Sequence, residues 1–169
     1  MASTGTVGHP VSMEPGGQVV PARAVATILV NGRGELLLQL RDGNALVSPN
    51  QWGLVGGGLN PGEDPVVGAM RELREETGLV PDDELTLIHH GTWPASLGPG
   101  QTEWWVFAAA TAATASDIAV HEGEDITFVP ADQAVDLELS VSATRFLLPF
   151  ISSDEHRRLT HRAGELAGP

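Results

Sequence analysis

One stretch constrains the fold more than any other: residues 56–80, GGGLNPGEDPVVGAMRELREETGLV. Three glycines run into a turn, and a helix follows whose two ends are legible in the residues. Asp64 is a capping residue, Pro65 suits the first helical position, and Gly78 can take the left-handed conformation that ends a helix. Val66, Met70, Leu73 and Thr77 recur at three or four residues and predict the packing stripe. Glu72, Glu75 and Glu76 fall on another side, with Glu72 beside both of the others. Like-charge neighbours of that kind cost a bare helix roughly 0.2–0.5 kcal/mol each. Arg71 and Arg74 offset part of this.

The plain reading of such a run is a solvated acidic face. Three features favour a cation instead. The acids cluster rather than alternate with arginine, a glycine turn that can offer backbone carbonyls precedes them, and Glu63 adds an acid where the helix begins. Hard oxygen ligands suit Mg²⁺ or Mn²⁺, held by a few carboxylates with room left for water and a substrate phosphate. The net charge of −13 argues against a broad surface for duplex nucleic acid or anionic lipid. An anionic small molecule stays compatible where a divalent cation supplies the local positive charge. The chain has no cysteine, which excludes thiolate metal sites and cysteine nucleophiles.

The rest of the chain reads as strands, helix, strands, helices, which is an α/β class with a mixed sheet between helices. Two apolar runs joined by NGRG predict a hairpin, with strands over 23–30 and 35–41. Further strands are expected near 85–93, 103–111 and 126–129, and helices in PADQAVDL and SVSATRFLLPFI. Residues 1–20 read as a mobile arm, 21–151 as the single domain, and 152–169 as a polar tail, either a frayed helix or disordered. No apolar run approaches the length of a membrane span, and no secretory signal is evident, so the cytoplasm is the expected location.

The acidic helix and its turn resemble the Nudix family, whose box reads G-x5-E-x7-R-E-U-x-E-E-x-G-U with U aliphatic. Gly57, Glu63, Arg71, Glu72, Leu73, Glu75, Glu76, Gly78 and Leu79 occupy its fixed positions. Asn60 and Val55 depart from commoner family residues outside that pattern. The resemblance implies an α/β/α sandwich with a mixed, partly barrel-like sheet. It also implies Mg²⁺-dependent hydrolysis of a pyrophosphate bond in a nucleoside diphosphate linked to another group, with Mn²⁺ as a substitute ion. Glu72, Glu75, Glu76 and the carbonyl of Gly57 or its neighbour become the expected metal ligands. Arg71 would orient the carboxylates, and Glu63 would support that network. Glu72 is the first candidate for the general base. Glu122 is the leading loop candidate, as base or extra ligand, because its place six residues before Phe128 resembles the family's spacing between a further ligand glutamate and the next strand aromatic; Glu124 is the next.

Substrate contacts are less determined. Trp52 reads as a sheet-packing aromatic or as a wall for a planar group. Trp104 and Trp105 alternate across a strand, so one is expected in the core and the other in a cleft or dimer contact. Arg41 ends a strand and reads as a surface arginine or a phosphate contact, and His121 as a candidate proton shuttle. The expected partner is a small-molecule diphosphate: a nucleoside triphosphate or oxidised nucleotide first, a nucleotide sugar or dinucleotide next. An isoprenoid diphosphate hydrolase and a non-catalytic nucleotide-binding module are the alternatives. A homodimer is compatible with the tryptophans.

Overall fold

The computed structural model describes residues 21–96, 98–119 and 125–168. The arm expected over 1–20, and His121, Glu122 and Glu124, lie outside the described residues. Seven strands form one mixed sheet. The hairpin forms as expected, with β1 (Ala22–Val30) and β2 (Leu36–Leu40) meeting at Val30 and Leu36. Asn31 shapes its turn, its Oδ1 accepting from the N–H groups of Arg33 at 3.0 Å and Glu35 at 3.1 Å. Beyond that pair the two strands part. β3 (Trp52–Gly53) and β7 (Asp125–Val129) pair with β2, while β4 (Val55–Gly58) takes the edge of β1 that β2 leaves. The other edge of β1 pairs in parallel along its whole length with β6 (Gln101–Ala110), and β6 pairs with β5 (Thr86–Pro94).

The sheet is mixed, as expected, and is not closed into a barrel. β5 pairs along one edge only, with β6, and no described strand joins its other edge back to β3. The layers are those of an α/β/α sandwich. On one face α1 (Pro65–Thr77) lies against β4 and β1, with Leu73, Leu79, Val25 and Phe107 buried beneath it. On the other, α2 (Ala131–Ala134), α3 (Val141–Ile151) and α4 (Asp154–Ala167) cover Ala26, Ile28, Val30, Val106 and Ala108.

Two details differ from the sequence reading. The segment from Ser152 is not a frayed or disordered tail: it forms α4, capped by Ser153, and buries Leu159 and Ala163 in the core. The packing stripe of α1 is also rotated. Val66 is exposed, whereas Ala69, Leu73, Glu76 and Thr77 are buried. The first turn faces outward, with Val66 43% and Val67 59% exposed. Further along, Glu76 turns inward because a backbone donor awaits it.

Candidate active site

The site is built where α1 lies over β4. Asp64 caps the helix by accepting from the N–H groups of Val66 at 2.9 Å and Val67 at 3.3 Å. Gly78 ends it at φ 74°. β4 is almost without side chains, which lets α1 come close. A Cβ on Gly57 would lie 2.7 Å from the carboxyl carbon of Glu72, so that carboxylate occupies the space of the missing side chain. A Cβ on Gly68 would fall 2.1 Å from Leu59 Cδ2, which seats the same helix on the turn before it.

Arg71 holds the acids together. Its Nε donates to Glu63 Oε1 at 2.8 Å and its Nη2 to Glu63 Oε2 at 2.9 Å. Nη1 donates to Glu72 Oε1 at 2.7 Å and Glu75 Oε2 at 3.1 Å. Nη2 also reaches the Gly58 carbonyl at 3.1 Å, which ties the helix to β4. Glu76 Oε2 accepts from the Gly56 N–H at 3.1 Å. The four acids of the motif therefore meet one guanidinium and one strand of glycines. Charge-assisted, forked bonds of this type are the stronger class of hydrogen bond and fix carboxylate orientation.

Arg71, and then the Asn60 N–H at 2.8 Å, lower the Glu63 carboxyl to about 2 from an ordinary 4.5. Arg71 is in turn held charged above its usual range, chiefly by Glu63 and then by Glu72. Because the folded-state value of Glu63 is depressed, its contribution to stability is full above pH 4.5 and is lost as the pH falls toward 2. With allowance for solvent screening it amounts to about 1–2 kcal/mol. In metal-free buffer, Glu63→Gln is expected to be less stable than the wild type at pH 7, with the difference shrinking below pH 4.5. Denaturant midpoints measured from pH 2 to 7 check this, and parallel curves for the two proteins would exclude it.

Among the described residues no three acidic or histidine side chains converge closely enough to hold an ion as they stand. Arg71 and Gly56 engage the carboxylates instead. The donor set still fits a hard cation. It consists of oxygens alone, two of them already drawn to the same nitrogen, and Glu72 sits in a cradle that a Cβ on Gly57 would fill.

The other candidates fall in different places. Arg41 spends its Nε on the Val47 carbonyl at 2.8 Å and so pins its own loop. Trp52 is clamped by backbone bonds to Glu138 and Ser140, and its ring packs on the core. Trp104 and Trp105 are both half-buried, so neither is the simple core residue expected of one of them. Trp105 faces α1, and Trp104 the opposite side. Sequence reasoning passed over Arg23, which lies over the Trp105 ring at 4.9 Å and donates to the Glu63 carbonyl at 3.4 Å. It also passed over Trp93 and Phe146, which pack on each other, Phe146 also meeting Trp104. A signal was present for Trp93, in a strand whose alternation puts it on the same side as His89. A cavity of about 1050 Å³ lies elsewhere, between the hairpin turn and α4, and none of the acidic-motif residues line it.

Comparison with known proteins decides the family: the NUDIX domain model matches residues 20–148. The chain belongs to the Nudix family. Among curated proteins, this Nudix chain is 34% identical over 90 residues to an m7GpppN-mRNA hydrolase of Bos taurus, a match covering 53% of the chain and 30% of that protein. It is 44% identical over 59 residues to an RNA pyrophosphohydrolase of Roseobacter denitrificans, covering 34% of each. The matches span about a third of the length of these relatives. Among solved structures, the MutT protein from Methanosarcina mazei aligns with a TM-score of 0.62 at 25% identity, over 82% of this chain and 94% of that one. The NUDIX domain of Shewanella oneidensis NrtR, solved with ADP ribose, aligns at 0.66 and 18% identity, over 86% and 91%. That last likeness is one of fold.

Proposed function

We propose that this Nudix domain hydrolyses a pyrophosphate bond in a nucleotide-linked substrate, with Glu72, Glu75, Glu76 and the Gly57 carbonyl as ligands of Mg²⁺ or Mn²⁺. The observation that carries the reading is the convergence of Glu63, Glu72 and Glu75 on Arg71, directly over the glycine strand. That much negative charge held in one place calls for cations, and hydrolase-named relatives match part of this chain. When bound, the ion would neutralise the diphosphate and lower the pKa of the attacking water.

The chain's own groups supply the rest. Glu72 accepts the proton of the attacking water as general base, the role its place over Gly57 suits. Arg71 keeps Glu72 and Glu75 oriented, and Glu63 keeps Arg71 oriented. Glu76 is anchored by Gly56. Water adds to one phosphorus, the bridging P–O bond breaks, and the departing phosphate carries away the electron pair. Glu122 stays proposed as a further ligand or base. Nucleoside triphosphates, including oxidised ones, are the first substrate class, and nucleotide sugars and dinucleotides the next. The names of the curated relatives add the 5′ end of RNA to that list.

The test is product formation by mass spectrometry from a pooled panel, with and without Mg²⁺. The panel holds nucleoside triphosphates, oxidised nucleotides, nucleotide sugars, dinucleotides, a 5′-triphosphorylated oligonucleotide and prenyl diphosphates. Metal-dependent cleavage of a nucleotide, absent in Glu76→Gln, is the expected result. Cleavage of prenyl diphosphates alone would overturn the nucleotide reading. Binding without turnover would replace the enzyme with a nucleotide-binding module.

A further inference from the structure

The turn that presents Glu63 is tied to the sheet by one residue of β1. Residues 60–63 close on themselves, the Glu63 N–H donating to the Asn60 carbonyl at 3.0 Å and Glu63 Oε2 accepting from the Asn60 N–H at 2.8 Å. Arg23 grips the chain on both sides of this turn. Its backbone carbonyl accepts from the Leu59 N–H at 2.9 Å, and its Nη1 donates to the Glu63 carbonyl at 3.4 Å. Glu63 in turn meets two nitrogens of Arg71, and Arg71 meets Glu72 and Glu75.

The side-chain bond from Arg23 is long, so its hold depends on where the guanidinium is kept. Trp105 keeps it in place: Arg23 Cζ lies 4.9 Å from the centroid of that ring, a cation–π contact. The ring is itself braced. His90 stacks on it at 4.7 Å with the planes 17° apart, and Glu103 holds His90 at 2.9 Å. The strand registers bring these groups together. Arg23 lies beside Glu103 and Val25 beside Trp105 across the parallel pair, and β5 sets His90 beside Trp105. Val25 is buried beneath α1 with Trp105 packed near it, so Arg23 and Glu103, each two residues away along its strand, share that face. A strut therefore runs from β5 across β6 to β1 and ends on Glu63.

We propose that Arg23, seated on Trp105, is a positioning residue for the acidic cluster: by holding the Glu63 turn to β1 it fixes Arg71, and through Arg71 the carboxylates of Glu72 and Glu75. Its effect on rate rests on the hydrolysis argued above; its effect on Arg71 rests on geometry alone. Asn60, Pro61 and Gly62 are exposed, and surface turns of this kind move unless they are tied down. Glu63 orients Arg71 only as far as its own backbone is fixed. Without Arg23 the fork between Glu63 and Arg71 moves with the turn, and Nη1 loses its fixed place beside Glu72.

The test reads the Nε–H signal of Arg71 by NMR in the whole, metal-free chain, where its bond to Glu63 slows exchange with water. Arg71→Lys assigns the signal by removing it. Arg23→Met keeps an apolar stem on Trp105 and removes the charge and the donors. It is expected to speed exchange of the Arg71 Nε–H about tenfold, the effect of losing one hydrogen bond, with Tm and the backbone exchange of β1 held. In turnover it is expected to lower kcat about 10- to 100-fold with KM within about threefold, as misplacing a group that acts in the transition state does. Arg23→Lys keeps a cation over the ring and one donor, and recovers most of the rate. Trp105→Leu removes the seat and gives the same signature. Adding Arg23→Met to it lowers kcat no further, because both act through one route. A raised KM with kcat kept would make Arg23 a substrate contact and overturn the proposal. An unmoved Arg71 signal, additive losses in the double variant, or a lowered Tm with exchange along β1 faster by the same factor would overturn it too. The NMR arm needs no catalysis, so faster Arg71 exchange in a protein that hydrolyses nothing counts against the enzyme reading alone. Hydrolysis with Arg71 unmoved in Arg23→Met counts against the positioning role alone.

Discussion

Glu72→Gln is expected to lower kcat by about 1000-fold, in the range for loss of a positioned general base, while the protein stays folded. The side chain lies over Gly57 with Arg71 at 2.7 Å, and glutamine has nearly its shape. The amide oxygen still accepts from Arg71, so the helix keeps its link to the cluster. It loses a negative charge, weakening the hold on a cation, and a basic oxygen to take the proton from water. Single-turnover rates at saturating substrate, with thermal melting as a control for folding, separate the two consequences. If excess Mg²⁺ restores the rate, Glu72 acts mainly as a ligand. If the rate stays low at saturating Mg²⁺, the loss is that of the base. A variant within tenfold of the wild type would remove Glu72 from both roles and shift attention to Glu122.

The acidic motif could be read from sequence because its chemistry is local. Asp64, Pro65 and Gly78 act on the nearest turn of backbone, and each does so in the structure. The hairpin turn is local in the same sense. What sequence missed depends on distant partners. Val66 falls on the apolar stripe by its spacing, yet it is exposed, because the buried side of α1 runs through Ala69, Leu73, Glu76 and Thr77 instead. The wheel puts Glu76 with the acids on a side away from the packing stripe, but the Gly56 N–H makes its burial tolerable, since a buried polar group costs little once it is hydrogen-bonded. In α4 the spacing of Leu159, Ala163 and Leu166 carries an amphipathic signal that the polar composition of the segment masked. The alternation of Trp104 and Trp105 was legible. Their different environments were not, because those depend on the parallel pairing of β1 with β6.

Gly56→Ala is expected to cost about 3 kcal/mol, at the upper end for forced overpacking, and to lower Tm by about 6–12 °C in a chain of this size. Gly56 sits at φ 157°, and a Cβ there would lie 2.2 Å from the Val25 carbonyl oxygen and 2.7 Å from Ala26 Cα. Both obstacles are backbone atoms of β1, which is held on one edge by β4 and along its whole length on the other by β6. The strand therefore cannot give way without breaking pairs on both sides. Displacing Gly56 also withdraws the N–H that holds Glu76 at 3.1 Å, so melting point and activity should fall together. Gly57→Ala provides the contrast one residue on. The nearest atoms to its Cβ would all be those of the Glu72 carboxylate, a side chain that can turn away, so the melting point should hold while turnover falls. Thermal melts and initial rates on the two variants check this. Equal melting points would mean that β1 yields to the added methyl, and that the glycines serve the placing of carboxylates alone.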